Sequence, residues 1–292
     1  MDTYASYRRT RCSAGIENQV SRIENMRIPL TKYGWPQVVI YPVLVLALMA
    51  VVWLIGEWLI GELNTHYSPL TTRYSLLASS AIISIEALLA VILIWSLMFF
   101  RDPERRCPSD RNLLLAPADG QVTDIETAED LPAFLRKQEG RGGTALRIGI
   151  FLSIFDTHIN RAPCNVKVEK ITYRKGKYKN AMNPQSSRVN ESNDLNLVRT
   201  DSPQDRLIVR QISGAIARRI VCDKVEGREL TGGQKFGMIK FGSRTELYVP
   251  IRDPATLGSD EYPPVAGAKC LVQIGDKVKA GLTPLVKYEI GE

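Results

Sequence analysis

The apolar positions of this chain fall into two regimes. In "VVIYPVLVLALMAVVWLIGEWLIG" (38–61) and "LLASSAIISIEALLAVILIWSLMFF" (76–100) nearly every residue is apolar, and no polar face recurs at helical spacing. Each run is long enough for a helix that crosses a bilayer, which needs about 20 residues. Each holds one carboxylate: Glu57 lies near a span end, and Glu86, nearer the middle, is expected to face the partner helix. From Arg101 the text changes to short runs rich in Val and Ile, bounded by Gly, Pro and Asp. Examples are "APADGQVTDIE", "ALRIGIFLSIF", "VKVEKITYRKG", "DRLIVRQISG", "RRIVCDKVEG" and "KCLVQIGDKV". Such runs predict strands.

Helix is scarce in this second part. "AEDLPAFLRKQ" (128–138), with Pro132 near its first turn, is the best candidate, and a short helix is expected around "GIENQVSRIENM" in the polar N-terminal segment. Residues 180–204 are polar and turn-rich and read as a long loop or lid. "GRELTGG" (227–233) and "GDKVKAG" (275–281) share Gly, an aliphatic residue and Gly at the same spacing, and each precedes an apolar strand. The pattern predicts a mainly β protein: a sandwich or flattened-barrel soluble domain (101–292) behind an N-terminal two-helix transmembrane hairpin (35–100) and a polar segment (1–34).

Charge supports this division. Arg8, Arg9, Arg11, Arg22, Arg27 and Lys32 precede the first span, Arg101, Arg105 and Arg106 follow the second, and the connecting loop offers only Arg73. The positive-inside rule then puts both ends, and the soluble domain, on the cytoplasmic side of the cell membrane. The net charge of +7 follows largely from these arginines, which attract anionic lipid head groups. No zinc-finger spacing or aromatic RNA-binding signature points to nucleic acid. Five scattered cysteines and no CxxC pair suit a reducing compartment, and two histidines, His66 and His158, give little from which to build a metal site.

One stretch asks for chemistry. "GMIKFGSRTELYVP" (237–250) reads as two strands interrupted by Gly242-Ser243. A serine after glycine at a strained break can attack the preceding carbonyl, because glycine tolerates unusual dihedrals and has no Cβ to block the approach. The N-to-O acyl shift gives an ester, elimination cuts the chain, and hydrolysis leaves a pyruvoyl group, which reacts with amines and accepts electrons from a departing carboxylate. Such a reaction needs a base. His158 in "FDTHINRAP" (155–163) is the only histidine of the soluble part, and Asp119 in "PADG" (117–120) is placed to orient it if the fold brings the two turns together.

"FFRDPERRCP" (99–108), "APADGQV" (116–122), "FDTHINRAP" and "ARRIVCDKVEGRELTGGQKFGMIKFGSRTELYVP" (217–250) together resemble the phosphatidylserine decarboxylases, in their shorter bacterial and archaeal branch. The resemblance implies a membrane-associated proenzyme that cuts itself between Gly242 and Ser243. A β-chain (1–242) and an α-chain (243–292) would then form a heterodimer, with a homo-oligomer of it as a further candidate assembly. It also implies a pyruvoyl cofactor derived from Ser243, a substrate in phosphatidylserine, and Asp119, His158 and Ser243 as the processing constellation. Longer members carry two histidines in the His158 block, where this chain has Asn160 and Arg161, the candidate substrate contacts. Whether His158 is the processing base, the proton donor in turnover or both stays open. Other readings are a membrane-tethered, non-catalytic barrel or carrier with Lys277 as its attachment point, an enzyme for a related serine head-group lipid, and a form that folds without cutting itself.

Overall fold

The computed structural model describes residues 30–65, 69–128, 135, 144–183, 185–202, 204–215, 219–240, 242–251 and 268–288. The short helix expected before residue 30 lies outside them, as does the helix expected over 128–138 apart from Ala128 and Leu135. Both long apolar runs are helical: α1 spans Gln37–Asn64 and α2 spans Pro69–Phe99. At 28 and 31 residues they are roughly 42 and 46 Å long. They pack against each other where Gly56 meets Ile82, leaving Leu54, Trp58, Ile83 and Val91 exposed. The serines of α2 return their hydroxyls to the helix itself, Ser79 to Ser75 O and Ser84 to Ser80 O, both at 2.8 Å. A serine bonded in this way exposes no unpaired donor on an apolar helix.

The rest is β. The strands are β1 (Leu113–Leu115), β2 (Gly120–Ala128), β3 (Thr144–Leu152), β4 (Ile159–Arg161), β5 (Val166–Arg174), β6 (Ser192–Arg199) and β7 (Arg206–Ile212). They continue with β8 (Arg219–Cys222), β9 (Glu229–Leu230), β10 (Lys235–Lys240), β11 (Ser243–Ile251), β12 (Ala268–Cys270), β13 (Lys277–Val278) and β14 (Pro284–Tyr288). Instead of two facing sheets, eight strands form one curled sheet in the order β13-β2-β3-β11-β7-β6-β5-β9, beside two three-stranded sheets, β4-β10-β8 and β1-β14-β12. The repeated Gly motifs supply the two ends of the curled sheet. β9 and β13 are its edge strands, and the turns after them place Gly233 and Gly281 at φ +77° and +71°. A Cβ on Gly281 would lie 3.4 Å from the Gly233 Cα, so the curl brings the edges together. Lys277 lies within β13, paired with Gln121, and not at a hairpin tip as a carrier lysine would.

The segment 180–204, expected as a loop or lid, holds a helical turn at Ser186–Val189 and then strand β6 at Ser192–Arg199. β6 sits between β5 and β7, and its polar residues are satisfied across the ladder. Asn193 bonds Gln211, Asp194 takes the Arg210 guanidinium at 2.6 and 2.9 Å, and Asn196 donates to Lys170 O. The polarity that suggested a loop marks a strand that pairs charged and amide groups on both flanks.

Strand β11 lies at the middle of the curled sheet, held by β3 on one side and β7 on the other. Its side chains alternate. Leu247 and Val249 join the apolar core with Ile148, Ile150, Leu195 and Val209. Arg244, Glu246 and Tyr248 face the other way into a buried ionic network. Arg244 bonds Glu246 at 2.9 Å, Thr123 Oγ1 at 2.7 Å and the Asp124 carboxylate, while Arg147 reaches Glu246 at 3.1 Å and Asp124 at 3.2 Å. Gly149 leaves the space this needs, since a Cβ there would overlap the Arg244 guanidinium. Burial pulls the Arg147 guanidinium down, but Glu246 and Asp124 more than offset it and hold it above its ordinary value.

Removing one member of such a network strands the others as buried charges. Arg244→Met is expected to cost about 3–5 kcal/mol, read as a markedly lower melting temperature of the detergent-solubilised chain. The exposed Arg228→Met, used as a control, leaves the melting temperature within a degree or two.

Candidate active site

The interruption in "GMIKFGSRTELYVP" is the point where the chain changes sheets. β10 belongs to the three-stranded sheet and β11 to the curled one. Gly242 makes the passage at φ +67°, in the left-handed region that side-chain-bearing residues avoid. Ser243 is then the first residue of β11, paired with Leu152. By the alternation of the strand its side chain points inward with those of Thr245 and Leu247. It is fully buried, and its hydroxyl has no hydrogen-bond partner among the described residues. A buried hydroxyl normally finds a partner, and an exception asks for an explanation.

His158 follows the turn between β3 and β4. Its Nδ1 lies 2.9 Å from the Asp156 carbonyl oxygen, and its Nε2 lies 3.1 Å from the Gly242 amide nitrogen. The two contacts fix the tautomer: Nδ1–H donates to Asp156 O, and the Nε2 lone pair accepts the Gly242 N–H. The ring is fully buried, and Phe99, the last residue of α2, packs on it with centroids 4.5 Å apart. Burial pushes its pKa down to about 4; the Asp156 bond opposes this, and the Arg101 charge adds to it. At neutral pH the imidazole is therefore an unprotonated acceptor one peptide away from Ser243.

Asp119 stands nearby, and its charge acts on His158 through space, but the two share no hydrogen bond. Its carboxylate is gripped by Arg105 at 2.6 and 2.7 Å and by the Ala280 amide at 2.8 Å. The orienting contact expected of Asp119 is made by the Asp156 carbonyl instead. Asp119 joins the segment after α2 to the turn after β13. The two turns do meet, through the Arg161 amide on Pro117 O at 2.9 Å.

Asn160 and Arg161, the candidate substrate contacts, are committed to internal bonds. Arg161 donates to Gly233 O at 3.0 Å and to Pro103 O at 2.9 Å. Asn160 donates to Thr245 Oγ1 at 3.0 Å and accepts from Gln211 Nε2 at 2.9 Å, and Gln211 in turn accepts from Asn193 at 3.1 Å. This buried amide relay fixes β4, just after His158, against β11, which begins with Ser243. Thr245, Gln211 and Asn193 were not singled out from the sequence, where each is an ordinary strand residue. Their signal is an inward register shared with core residues, which needs the strand pairing to be seen. Gly214 was also missed: its Cα lies against the carbonyl of Gly242, which a Cβ there would overlap. No cluster able to hold a metal ion occurs among the described residues.

Two outcomes follow from this geometry. Gly214→Ala forces the Gly242 carbonyl out of its place, so any reaction at the Gly242–Ser243 bond is expected to slow at least tenfold, measured as the rate at which cut chain accumulates on a denaturing gel. The His158 pKa is lowered by folding, so the unfolded chain takes up a proton between about pH 6.5 and 4 and the native one does not. This contribution is complete above about pH 6.5 and is lost as the pH falls towards 4, by up to about 3 kcal/mol. Melting temperatures taken across that window are expected to fall less steeply for His158→Gln than for the unsubstituted chain.

Comparisons with known proteins show the family. A family model described as phosphatidylserine decarboxylase matches residues 92–285. The chain is 38% identical over 197 residues to the phosphatidylserine decarboxylase proenzyme of Pelagibacter ubique, covering 68% of this chain and 81% of that protein. It is 39% identical over 196 residues to the proenzyme of that name from Cereibacter sphaeroides, covering 67% and 75%. The Rickettsia felis proenzyme is 38% identical over 187 residues, covering 64% and 78%. The matched span runs from the end of α2 to β14, and on the strength of this match and of these identities the chain belongs to the phosphatidylserine decarboxylase family.

Proposed function

We propose that the chain is a proenzyme that cuts itself between Gly242 and Ser243 and then decarboxylates phosphatidylserine to phosphatidylethanolamine. The observation that carries this is the left-handed Gly242, its amide bonded to an unprotonated His158 Nε2, followed by a buried serine hydroxyl with no partner among the described residues. A glycine peptide that bears no Cβ to block attack, beside a buried hydroxyl and a buried acceptor, has the parts that an acyl shift requires.

The steps balance as follows. Ser243 Oγ adds to the Gly242 carbonyl carbon, the C–N bond breaks, and the Ser243 nitrogen leaves as an amine, giving an ester. A base removes the Ser243 α-proton and the Gly242 carboxylate departs, so the β-chain (1–242) ends at Gly242. Water then replaces the nitrogen at position 243 as ammonia is released, leaving the pyruvoyl group at the head of the α-chain (243–292). His158 is unprotonated at neutral pH, and its Nε2, bonded to the Gly242 amide, can take a proton once that amide contact is released. Asp119, held by Arg105 and the Ala280 amide, stabilises the surrounding turns and lends its charge to the site.

Position 243 suits such a group. It is buried, shielded from bulk water, and flanked on the same strand face by Thr245, whose hydroxyl is already engaged by Asn160. A pyruvoyl carbonyl there supplies an acceptor for the electron pair left when an α-amino acid head group loses carbon dioxide. The chain's own residues have two tasks: exclude water and return a proton through the imidazole. The long helices, with apolar side chains outward, support a membrane hairpin over 35–100, the arginines that flank it support both ends on the cytoplasmic side, and residues 101–292 are then the decarboxylase part. After cleavage β11 stays clamped between β3 and β7, so the two chains remain one particle.

The test is catalytic. Purified protein mixed with vesicles of phosphatidylserine and phosphatidylcholine is expected to release carbon dioxide and form phosphatidylethanolamine. Hydroxylamine, which captures reactive carbonyls, abolishes this, and Ser243→Ala shows none of it. Carbon dioxide release that is indifferent to hydroxylamine would overturn the pyruvoyl assignment, and no release from the unsubstituted, cut protein would overturn the activity.

A further inference from the structure

The turn that carries the chain from β3 to β4 ends in two apolar side chains that the soluble core does not use. Ile154 and Phe155 are 38% and 65% exposed. Single exposed apolar residues are common and carry no meaning alone. These two are adjacent, and the turn that holds them is rigid. The Ser153 amide donates to Asp156 Oδ2 at 2.8 Å, the Asp156 amide to Ser153 O at 2.9 Å, and the Phe155 amide to Ser153 Oγ at 3.2 Å. With Ser153 and Asp156 closing the turn, both apolar side chains are directed outward.

The location of the turn is the second observation. Arg101, two residues beyond the end of α2, donates from Nη1 to Met98 O at 2.9 Å and from Nη2 to Phe155 O at 2.6 Å. One guanidinium thus ties the apolar tip to the point where the long apolar helix ends. The start of α1 is fixed at the same end of the molecule, with Lys240 Nζ 2.8 Å from Gln37 Oε1, and Trp35 just before it is 67% exposed. Exposed aromatic residues at helix ends mark the level of the head groups. The tip is also continuous with the site. A Cβ on Gly242 would lie 3.9 Å from Ile154 Cγ2, and Asp156 at the base of the turn orients His158.

We propose that Ile154 and Phe155 form a lipid-contacting tip. It enters the acyl-chain layer beside the end of α2, so that a phospholipid reaches Gly242–Ser243 from the membrane plane, its acyl chains against the tip and its head group at His158. The proposal rests on the decarboxylase reading above. The occupant is the hydrocarbon of a bilayer phospholipid, because the tip is tied through Arg101 to the end of the helical hairpin, whose apolar side chains are exposed. Arg101 at its base supplies a positive charge where a phosphate of that lipid would lie.

The experiment compares two substrates for the full-length, cut protein: phosphatidylserine in phosphatidylcholine vesicles, and a short-chain phosphatidylserine kept monomeric below its micelle-forming concentration. For the Ile154→Ser/Phe155→Ser double variant, complete self-cleavage on a gel shows that fold and site are intact. The ratio of vesicle rate to monomer rate is expected to fall at least tenfold relative to the unsubstituted protein, and Phe155→Leu to keep that ratio. An unchanged ratio, whether both rates hold or both fall together, overturns the tip proposal and leaves the decarboxylase reading standing. An unsubstituted protein that is cut but inactive on both substrates overturns the reading on which it rests.

Discussion

The structure depends on how one strand is pinned. β11 starts at the residue after the left-handed glycine, and from Ser243 onward it is bound on both edges and both faces. Below it, Leu247 and Val249 enter the apolar core; above it, Arg244 and Glu246 are fully buried in compensating charges. Buried ions cost desolvation, and replacing them with apolar groups is often stabilising. Here they have a position to hold: Arg244 is adjacent to Ser243, where we propose that the chain is cut, and β10 on the other side of Gly242 belongs to a different sheet. The junction keeps its left-handed conformation, which glycine adopts without steric cost, because neither flank can move.

From that fixed point the site is assembled by backbone and amide contacts more than by ion pairs between catalytic side chains. His158 is set by one carbonyl and one amide, and the Asn160–Gln211–Asn193 relay locks β4 to β11 and β6 through the interior. Phe99 closes the other face of the imidazole, in a small apolar cluster with Tyr33, Phe100, Ile159 and Met238. The foot of the long helices is thereby part of the wall of the site. Burial of His158 by that wall lowers its pKa, so the same packing that attaches the helices sets the protonation state of the ring.

Much of this was legible in the sequence. The apolar runs gave α1 and α2, the Val- and Ile-rich runs most of the strands, and the two Gly-spaced repeats the edges of the curled sheet. The Gly242–Ser243 break was readable because neither residue suits an uninterrupted strand. What the sequence hid depended on partners distant along the chain. β6 looked like a loop because Asn193, Asp194 and Asn196 are polar, and only pairing with Gln211, Arg210 and Lys170 makes them strand residues. Asp119 was assigned to His158 because Arg105, its actual partner, comes from a linker with no periodic pattern. Asn160 and Arg161 looked available for substrate until the curl of the sheet closed over them.

The central claim, that this geometry turns Ser243 into a pyruvoyl group, is tested most directly by the intact mass of the purified protein beside that of Ser243→Ala. The account predicts two chains divided after Gly242, the smaller one lacking a free amino terminus and carrying the mass of a pyruvoyl residue, with the variant left whole. A folded, unsubstituted protein that remains a single chain of 32.7 kDa would contradict it.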